Sequence, residues 1–277
     1  MGSYNPRSKQ QVVAAVRSLI RQEFSDWELL LYDDGSSEPF AETLREVCRI
    51  DGRIRYLRGD CNKGLAYALN QCIRYAEGDY FARMDDDDLS LPARLAEQVQ
   101  FLDSHPQYQW VGCAAWLFDG GSIWGKQRKP AVPQAKDFLF NSPYIHPTVM
   151  FRRKALTQAG GYSESPAVFQ CEDYELFLRL HAQGMQGYNL PDVLFCYREG
   201  RGAYRKRSYA RRIREAEVRL RGFRKLGILT PLTAGYVLKP LLIGLIPTPL
   251  YAFFKRSQYK NPTSRQERRK QHGKGSR

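Results

Sequence analysis

The sequence predicts an α/β protein built on a mostly parallel sheet covered by helices, and two observations carry that expectation. Over the first 118 residues, short apolar runs alternate with stretches of helical periodicity, the pattern of βαβ units. Both acidic clusters of this region, Asp33-Asp34 and Asp85 to Asp88, stand immediately after an apolar run. Open parallel sheets bind ligands beyond the carboxyl ends of their strands, so the two clusters are expected on the same edge of the sheet.

The elements follow in order. Val12, Val13, Val16, Leu19 and Ile20 recur at helical spacing. "WELLLY" (27–32) reads as a strand running into Asp-Asp-Gly-Ser, 40–49 as a helix and "IRYLR" (54–58) as a strand. Residues 65–76 are helical in pattern and 80–84 strand-like. Residues 91–102 form a helix opened by Ser90 as N-cap, with Pro92 in its first turn. "WVGCAAWLF" (110–118) is a further strand. The second half is less regular. A loop or hairpin is expected at 120–130, a strand running into a helix at 144–156, an amphipathic helix at 171–184 and a last strand at 187–198.

Composition then shifts. The 277-residue chain carries a formal charge of +14, but the stretch from Arg198 to Arg277 holds 22 basic and 4 acidic side chains. The first 197 residues hold 21 basic and 25 acidic ones. A mildly acidic body (1–200) therefore precedes a basic amphipathic helix (201–227), an apolar stretch (228–254, interrupted by Lys239) and a polar basic tail (255–277) expected to be disordered. Such a tail calls for an anionic partner, nucleic acid or a membrane surface. A stacking surface for nucleic acid interleaves aromatic and basic residues; here the charges adjoin a long apolar run, which fits an interfacial or re-entrant anchor on an anionic membrane and no nucleic acid. The alternatives are a basic helix packed on the body with an apolar hairpin in its core, or a nucleic-acid-binding protein. The six cysteines show no metal-ligand spacing, sit mostly within apolar stretches and read as reduced core residues.

Four carboxylates in a row, Asp85, Asp86, Asp87 and Asp88, repel one another unless a cation joins them. A hard divalent ion held by carboxylates is the simplest reason for such a cluster. "YDDGSS" (32–37) is equally a plain turn former, and "NKGLAYALN" (62–70) equally a capped helix or an anion-binding helix start.

"GSYNP" (2–6), "DDGSS" (33–37), "NKGLAYALNQCI" (62–73), "ARMDDDDLSLPARLAEQV" (82–99), "HPTVMFRR" (146–153), "GGY" (160–162) and "EDYELFLRL" (172–180) occur in this order. The ordered set resembles the family 2 glycosyltransferases, inverting enzymes of the GT-A fold, and most closely the bacterial members that build capsular polysaccharide, exopolysaccharide or O-antigen. The resemblance implies a Rossmann-like GT-A domain and a nucleotide-sugar donor. It implies Mg²⁺ or Mn²⁺ at a DxD mapped onto Asp85 and Asp87, with Asp88 supporting and the extra charge of Asp86 unusual. Tyr4, Asp33, Asp34 and Lys63 would hold the nucleotide, with Asp85 and Asp86 beside it. The base would be Asp173, with Glu172 adjacent. His146 would lie near the donor phosphates or acceptor, or serve as a core histidine. Trp116 and Trp124 are candidates for stacking on an acceptor sugar. The acceptor would be a glycan, lipid-linked and at the cytoplasmic face of the inner membrane. In the family an apolar first strand precedes the "YN" motif, whereas here most of it is missing, so a longer natural product is expected and an inactive relative is an alternative.

Overall fold

The computed structural model describes residues 1–200 and 208–259. The body contains β1 (Gly2–Ser3), α1 (Lys9–Ile20), β2 (Leu29–Asp33), α2 (Phe40–Cys48), β3 (Ile54–Arg58), α3 (Leu65–Tyr75) and β4 (Tyr80–Ala82). It continues with β5 (Leu89–Ser90), α4 (Arg94–Ser104), β6 (Trp110–Phe118), β7 (Ile123–Gln127), β8 (Met150–Arg152), α5 (Arg153–Gln158), α6 (Glu172–Ala182) and β9 (Gly187–Arg198). Three helices follow: α7 (Tyr209–Lys225), α8 (Gly235–Gly244) and α9 (Thr248–Tyr259).

The alternating first third behaves as expected. β1, β2 and β3 pair in parallel, and all five residues of β2 are buried, as in a strand covered on both faces. The helix α1 turns Val12, Ala15, Val16 and Leu19 inward. The second sheet, ordered β4-β8-β6-β9-β5 with β7 on β6, departs from the mostly parallel expectation. Only β6 and β9 run parallel there, and the other pairings are antiparallel. The cause is connectivity. Parallel neighbours need a helical crossover, but β7 returns from β6 as a hairpin, and β8 is entered from a 3₁₀ turn over His146–Thr148 rather than from a helix.

β1 is two residues long, set in register opposite Tyr32 and Asp33. The Met1 ammonium donates to the Leu30 carbonyl at 2.8 Å, and the Tyr32 N–H donates to the Met1 carbonyl at 2.8 Å. A cleft of about 800 Å³ lined by Leu29, Leu30, Cys72, Phe81, Ala82 and Met84, among others, lies between the β2 and β4 edges.

Three sequence expectations need correction. Ser90 does not cap α4: it lies in β5, paired with Phe195, and Ala93 occupies the cap position. The acidic loop is followed by a strand pairing with β9, so the helix starts later than Pro92 alone suggests. The stretch from Lys255 is not wholly irregular, because α9 runs to Tyr259; residues 260–277 lie outside the described residues, as do 201–207 at the start of the basic helix. Cys61 is exposed rather than a core residue, whereas Cys113 and Cys171 are buried.

The basic helix α7 divides its charge. Arg219 is buried and donates to the carbonyls of Leu139 and Phe140, and Gly222 packs against Leu178. Arg221, Arg224 and Lys225 face outward. A Cβ on Gly244 would come within 3.2 Å of the Tyr209 ring, so α8 packs directly on α7. Lys239, the one charge in the apolar stretch, sits beside the Phe140 ring and donates to the Phe140 carbonyl. The helix α9 is tied to the body by ion pairs from Lys255 to Glu199 and from Arg256 to Asp119.

Candidate active site

Asp33 ends β2 with both oxygens engaged. Oδ1 accepts from the Ser36 N–H at 2.8 Å and Oδ2 from the Tyr56 hydroxyl at 2.6 Å. Asp34 reaches across to the start of α3 and accepts from the N–H groups of Lys63 and Gly64 at 3.0 and 2.7 Å. Burial raises its pKa against the pull of those two N–H groups. The two aspartates that sequence could not separate are therefore distinct: one shapes its own turn, the other satisfies the open end of a helix. Gly35 lets the chain make this approach. Its φ is +74°, and a Cβ there would stand 2.6 Å from backbone atoms of Cys61. Gly35→Ala is expected to cost about 1–3 kcal/mol of stability, as read by denaturant melts.

Tyr4 is exposed directly after β1. The Lys63 side chain is also exposed, with Nζ over the Tyr67 ring at 4.5 Å. Both stand exposed on the rim that Asp34 organises, Lys63 with its ammonium also donating to the Tyr67 hydroxyl at 3.4 Å.

The second tip joins the first through a single hydrogen bond. Ser3, paired with Asp33 in the sheet, donates its hydroxyl to Asp86 Oδ2 at 2.5 Å. Asp86 is thus turned towards β1, while Asp85, Asp87 and Asp88 each bring one oxygen within 4.8 Å of the others. Oxygen atoms at that spacing can share one ion at the ~2.0–2.6 Å distances of Mg²⁺ or Ca²⁺. Asp88 accepts from the Arg198 N–H at 2.6 Å with one oxygen, and its Oδ2 is buried without a hydrogen-bond partner. The residues therefore fit a divalent cation. Burial first, and then mutual repulsion among the carboxylates, pushes Asp87 up to about 6 and Asp88 well above the usual range.

Glu172 and Asp173 open α6, as the sequence suggests. Burial raises both pKa values, countered by the guanidinium charges of Arg211 and Arg83. Glu172 Oε2 is buried without a hydrogen-bond partner. His146 lies behind this region, buried, with Nε2 2.7 Å from the Tyr162 hydroxyl; burial and then Arg83 hold it neutral. Trp116 lies beside Lys126 on β6 and β7. Trp124 donates to the Glu199 carbonyl and is covered by Arg256 of α9.

The fold thus brings Asp33, Asp34, Lys63 and Tyr4 to one rim, with the acidic tip of Asp85 to Asp88 joined to it. Sequence reasoning passed over Arg83, whose charge is felt by Asp85, Asp86, Asp88, Glu172, Asp173 and Tyr162. A basic residue two positions before an acidic run was a readable signal. Arg198 and Arg211 had none, since β9 and α7 deliver them from far along the chain.

The comparisons with known proteins decide the family. Residues 1–172 match the family description "Glycosyl transferase family 2". The chain belongs to glycosyl transferase family 2. EpsE of Bacillus subtilis (strain 168), assigned as a glycosyltransferase, is 33% identical over 94% of this chain and 93% of its own length. The amylovoran biosynthesis glycosyltransferase AmsE of Erwinia amylovora is 31% identical over 74% of this chain and 76% of its own. Among solved structures, TarS of S. aureus superposes with a TM-score of 0.61 at 16% identity, covering 88% of this chain and 68% of that one. The mannosyltransferase PcManGT of Pyrobaculum calidifontis, solved with GDP-Man and Mn²⁺, gives 0.57 at 20% identity over 93% and 71%. The family 2 catalytic domain has the GT-A fold, with a mixed sheet in this chain.

Proposed function

We propose that this glycosyltransferase moves a sugar from a nucleotide-sugar donor to a hydroxyl of a glycan acceptor, with inversion and with Mg²⁺ or Mn²⁺, in the synthesis of a cell-surface polysaccharide. The observation that supports this most directly is the Ser3–Asp86 hydrogen bond, which sets the Asp33–Asp34 rim beside three clustered carboxylates. Relatives support the same reading: AmsE is named for amylovoran biosynthesis, and WbnJ of Escherichia coli, 28% identical over 69% of this chain, for O-antigen biosynthesis. TarS has been solved with UDP and with UDP-GlcNAc.

In this reading Asp85 and Asp87 hold the cation, with Asp88 as a third oxygen source. The bound ion would neutralise charge on the departing diphosphate. Tyr4 offers a ring face to the base, Asp33 and Asp34 keep the nucleotide rim in shape, and Lys63 adds a cation at the start of α3. Asp173 takes the acceptor hydroxyl proton as that oxygen attacks the anomeric carbon, and Glu172 stands beside it. His146 stays neutral and supports the site through Tyr162. Thermal shift with a panel of UDP-, GDP- and dTDP-sugars plus Mn²⁺ tests the reading. One nucleotide class should stabilise the protein only when the cation is present, and indifference to all of them would overturn it.

The acceptor is read as lipid-linked and the enzyme as peripheral on the cytoplasmic face of the plasma membrane. Among the described residues no helix is long and apolar enough to cross a bilayer. Leu238, Leu242, Leu245, Leu250, Phe253 and Phe254 are nevertheless exposed along α8 and α9. Arg221, Arg224 and Lys225 supply outward charge nearby on α7. Apolar side chains with adjacent cations suit an anionic bilayer surface. The double variant Leu242→Asp/Phe253→Asp is expected to lose more than tenfold in binding to vesicles containing anionic lipid, measured by co-sedimentation, with donor binding intact. Unchanged sedimentation would overturn the membrane assignment.

A further inference from the structure

Arg83 is a buried arginine whose donors are largely unspent. The Arg83 N–H donates to the Val149 carbonyl at 2.8 Å just past β4, and the Arg83 carbonyl accepts from Arg94 Nη2 at 2.7 Å. The backbone is therefore fixed. The side chain is 4% exposed and its Nη1 lies 2.5 Å from Asp85 Oδ2, yet neither Nε nor Nη1 makes an aligned hydrogen bond. Burying a guanidinium costs several kcal/mol unless partners compensate, and a purely structural arginine normally fills its planar fork, as a bidentate pair does. Arg94, next to it and also fully buried, shows the contrast. Its Nε and Nη2 bond to Gln98 and to the carbonyls of Arg83 and Pro147, which leaves Nη1 as its one buried nitrogen without a partner, against both Nε and Nη1 of Arg83. Arg83 instead offers charge rather than geometry, and it offers it to the acidic tip.

Resting on the cation reading above, we infer that Arg83 is the resident counter-ion of the acidic tip. It is a positioning residue that holds Asp85 in the cation-free protein and yields it when the divalent ion arrives. Asp85 is the ligand with this choice. Its side chain is 30% exposed, brings an oxygen within reach of those of Asp87 and Asp88, and meets Arg83 through Oδ2. Asp88 has no such choice, being fixed by the Arg198 N–H. The cation must therefore compete with an internal positive charge a few ångströms away. This limits binding of a bare ion and favours binding when the donor diphosphate brings further negative charge.

The consequence runs opposite to ordinary damage. Arg83→Gln is expected to bind Mn²⁺ about tenfold more tightly in the absence of donor, by calorimetry or electron paramagnetic resonance. The gain in affinity on adding nucleotide should shrink by a similar factor. Arg83→Lys, which keeps the charge, should bind Mn²⁺ within about threefold of wild type. A second measurement needs no folded Gln variant. In wild-type protein carrying ¹⁵N-labelled arginine, the Arg83 side-chain resonances, identified by their loss in Arg83→Lys, should shift on saturation with Mg²⁺ alone. Mn²⁺ affinity unchanged or weakened in a folded Arg83→Gln protein, or Arg83 resonances indifferent to saturating Mg²⁺, would overturn the inference. Failure of wild type to bind either cation would instead strike at the cation reading itself.

Discussion

Asp87→Ala is expected to abolish cation-dependent donor binding and to lower turnover about a thousandfold or more, while making the cation-free protein more stable at neutral pH. The first effect follows from the loss of one of the oxygens that would share the ion, since Lewis-acid stabilisation of a leaving diphosphate supplies several kcal/mol. The second follows from electrostatics. Asp87 has its pKa raised to about 6 by burial and by Asp85 and Asp86. Its folded value exceeds the unfolded one near 3.9, so the folded state binds the proton more tightly. The anionic carboxylate therefore opposes folding, by nothing well below pH 4, increasingly between pH 4 and 6, and fully above pH 6. The penalty is on the order of 3 kcal/mol. Thermal melts without cation should accordingly show the alanine variant gaining on wild type at pH 7.5 and not at pH 4. Added Mn²⁺ should restore wild type at pH 7.5, do so less at pH 5 where protons compete for the same oxygens, and leave the variant unmoved. A variant that still answers to Mn²⁺ with donor would remove Asp87 from the cation site.

What could be read in the sequence was whatever local pattern dictates. β2 is a short apolar run because both its faces are covered, and the acidic clusters after β2 and β4 had to emerge at strand ends. Their meeting is tertiary: it depends on Ser3 facing Asp33 in the sheet and donating to Asp86, and nothing local to either cluster encodes that. Ser90 illustrates the opposite failure. Ser followed by Leu-Pro reads as a helix start, but pairing with Phe195 in β9 overrides local propensity. Asp33 and Asp34 look equivalent in sequence and take different partners because successive residues of extended backbone point to opposite sides, and Asp34 is the first residue beyond β2. The basic helix read as a surface for anionic lipid, yet Arg219 spends its charge on the carbonyls of Leu139 and Phe140. Charge counting registers how many arginines a helix carries and is blind to which carbonyl ends the tertiary fold presents to them. Arg83 was overlooked for another reason: it stands two positions before the four aspartates and could have been read there.

Asp173→Asn should bind donor and cation as wild type does, within about twofold, and lose turnover by about a hundredfold to ten-thousandfold, the usual worth of a positioned proton acceptor. Asn keeps the size of the side chain and can still accept from the Tyr174 N–H that now holds Asp173. What it lacks is a basic oxygen. The pH profile separates this loss from simple damage. Burial raises the Asp173 pKa, while the Tyr174 N–H, Arg211 and Arg83 act against it. In wild type the rate should thus fall as pH drops through a value above the ordinary aspartate range, because the protonated acid cannot accept from the acceptor hydroxyl. That acid limb should disappear in the Asn variant, leaving a low rate with no step from this group. Glu172→Gln provides the comparison on the same helix turn. Its buried Oε2 lacks a partner, so its loss is expected to change acceptor KM more than kcat. Normal turnover in Asp173→Asn, or an acid limb that survives there and vanishes in Glu172→Gln, would transfer the base to the neighbouring carboxylate.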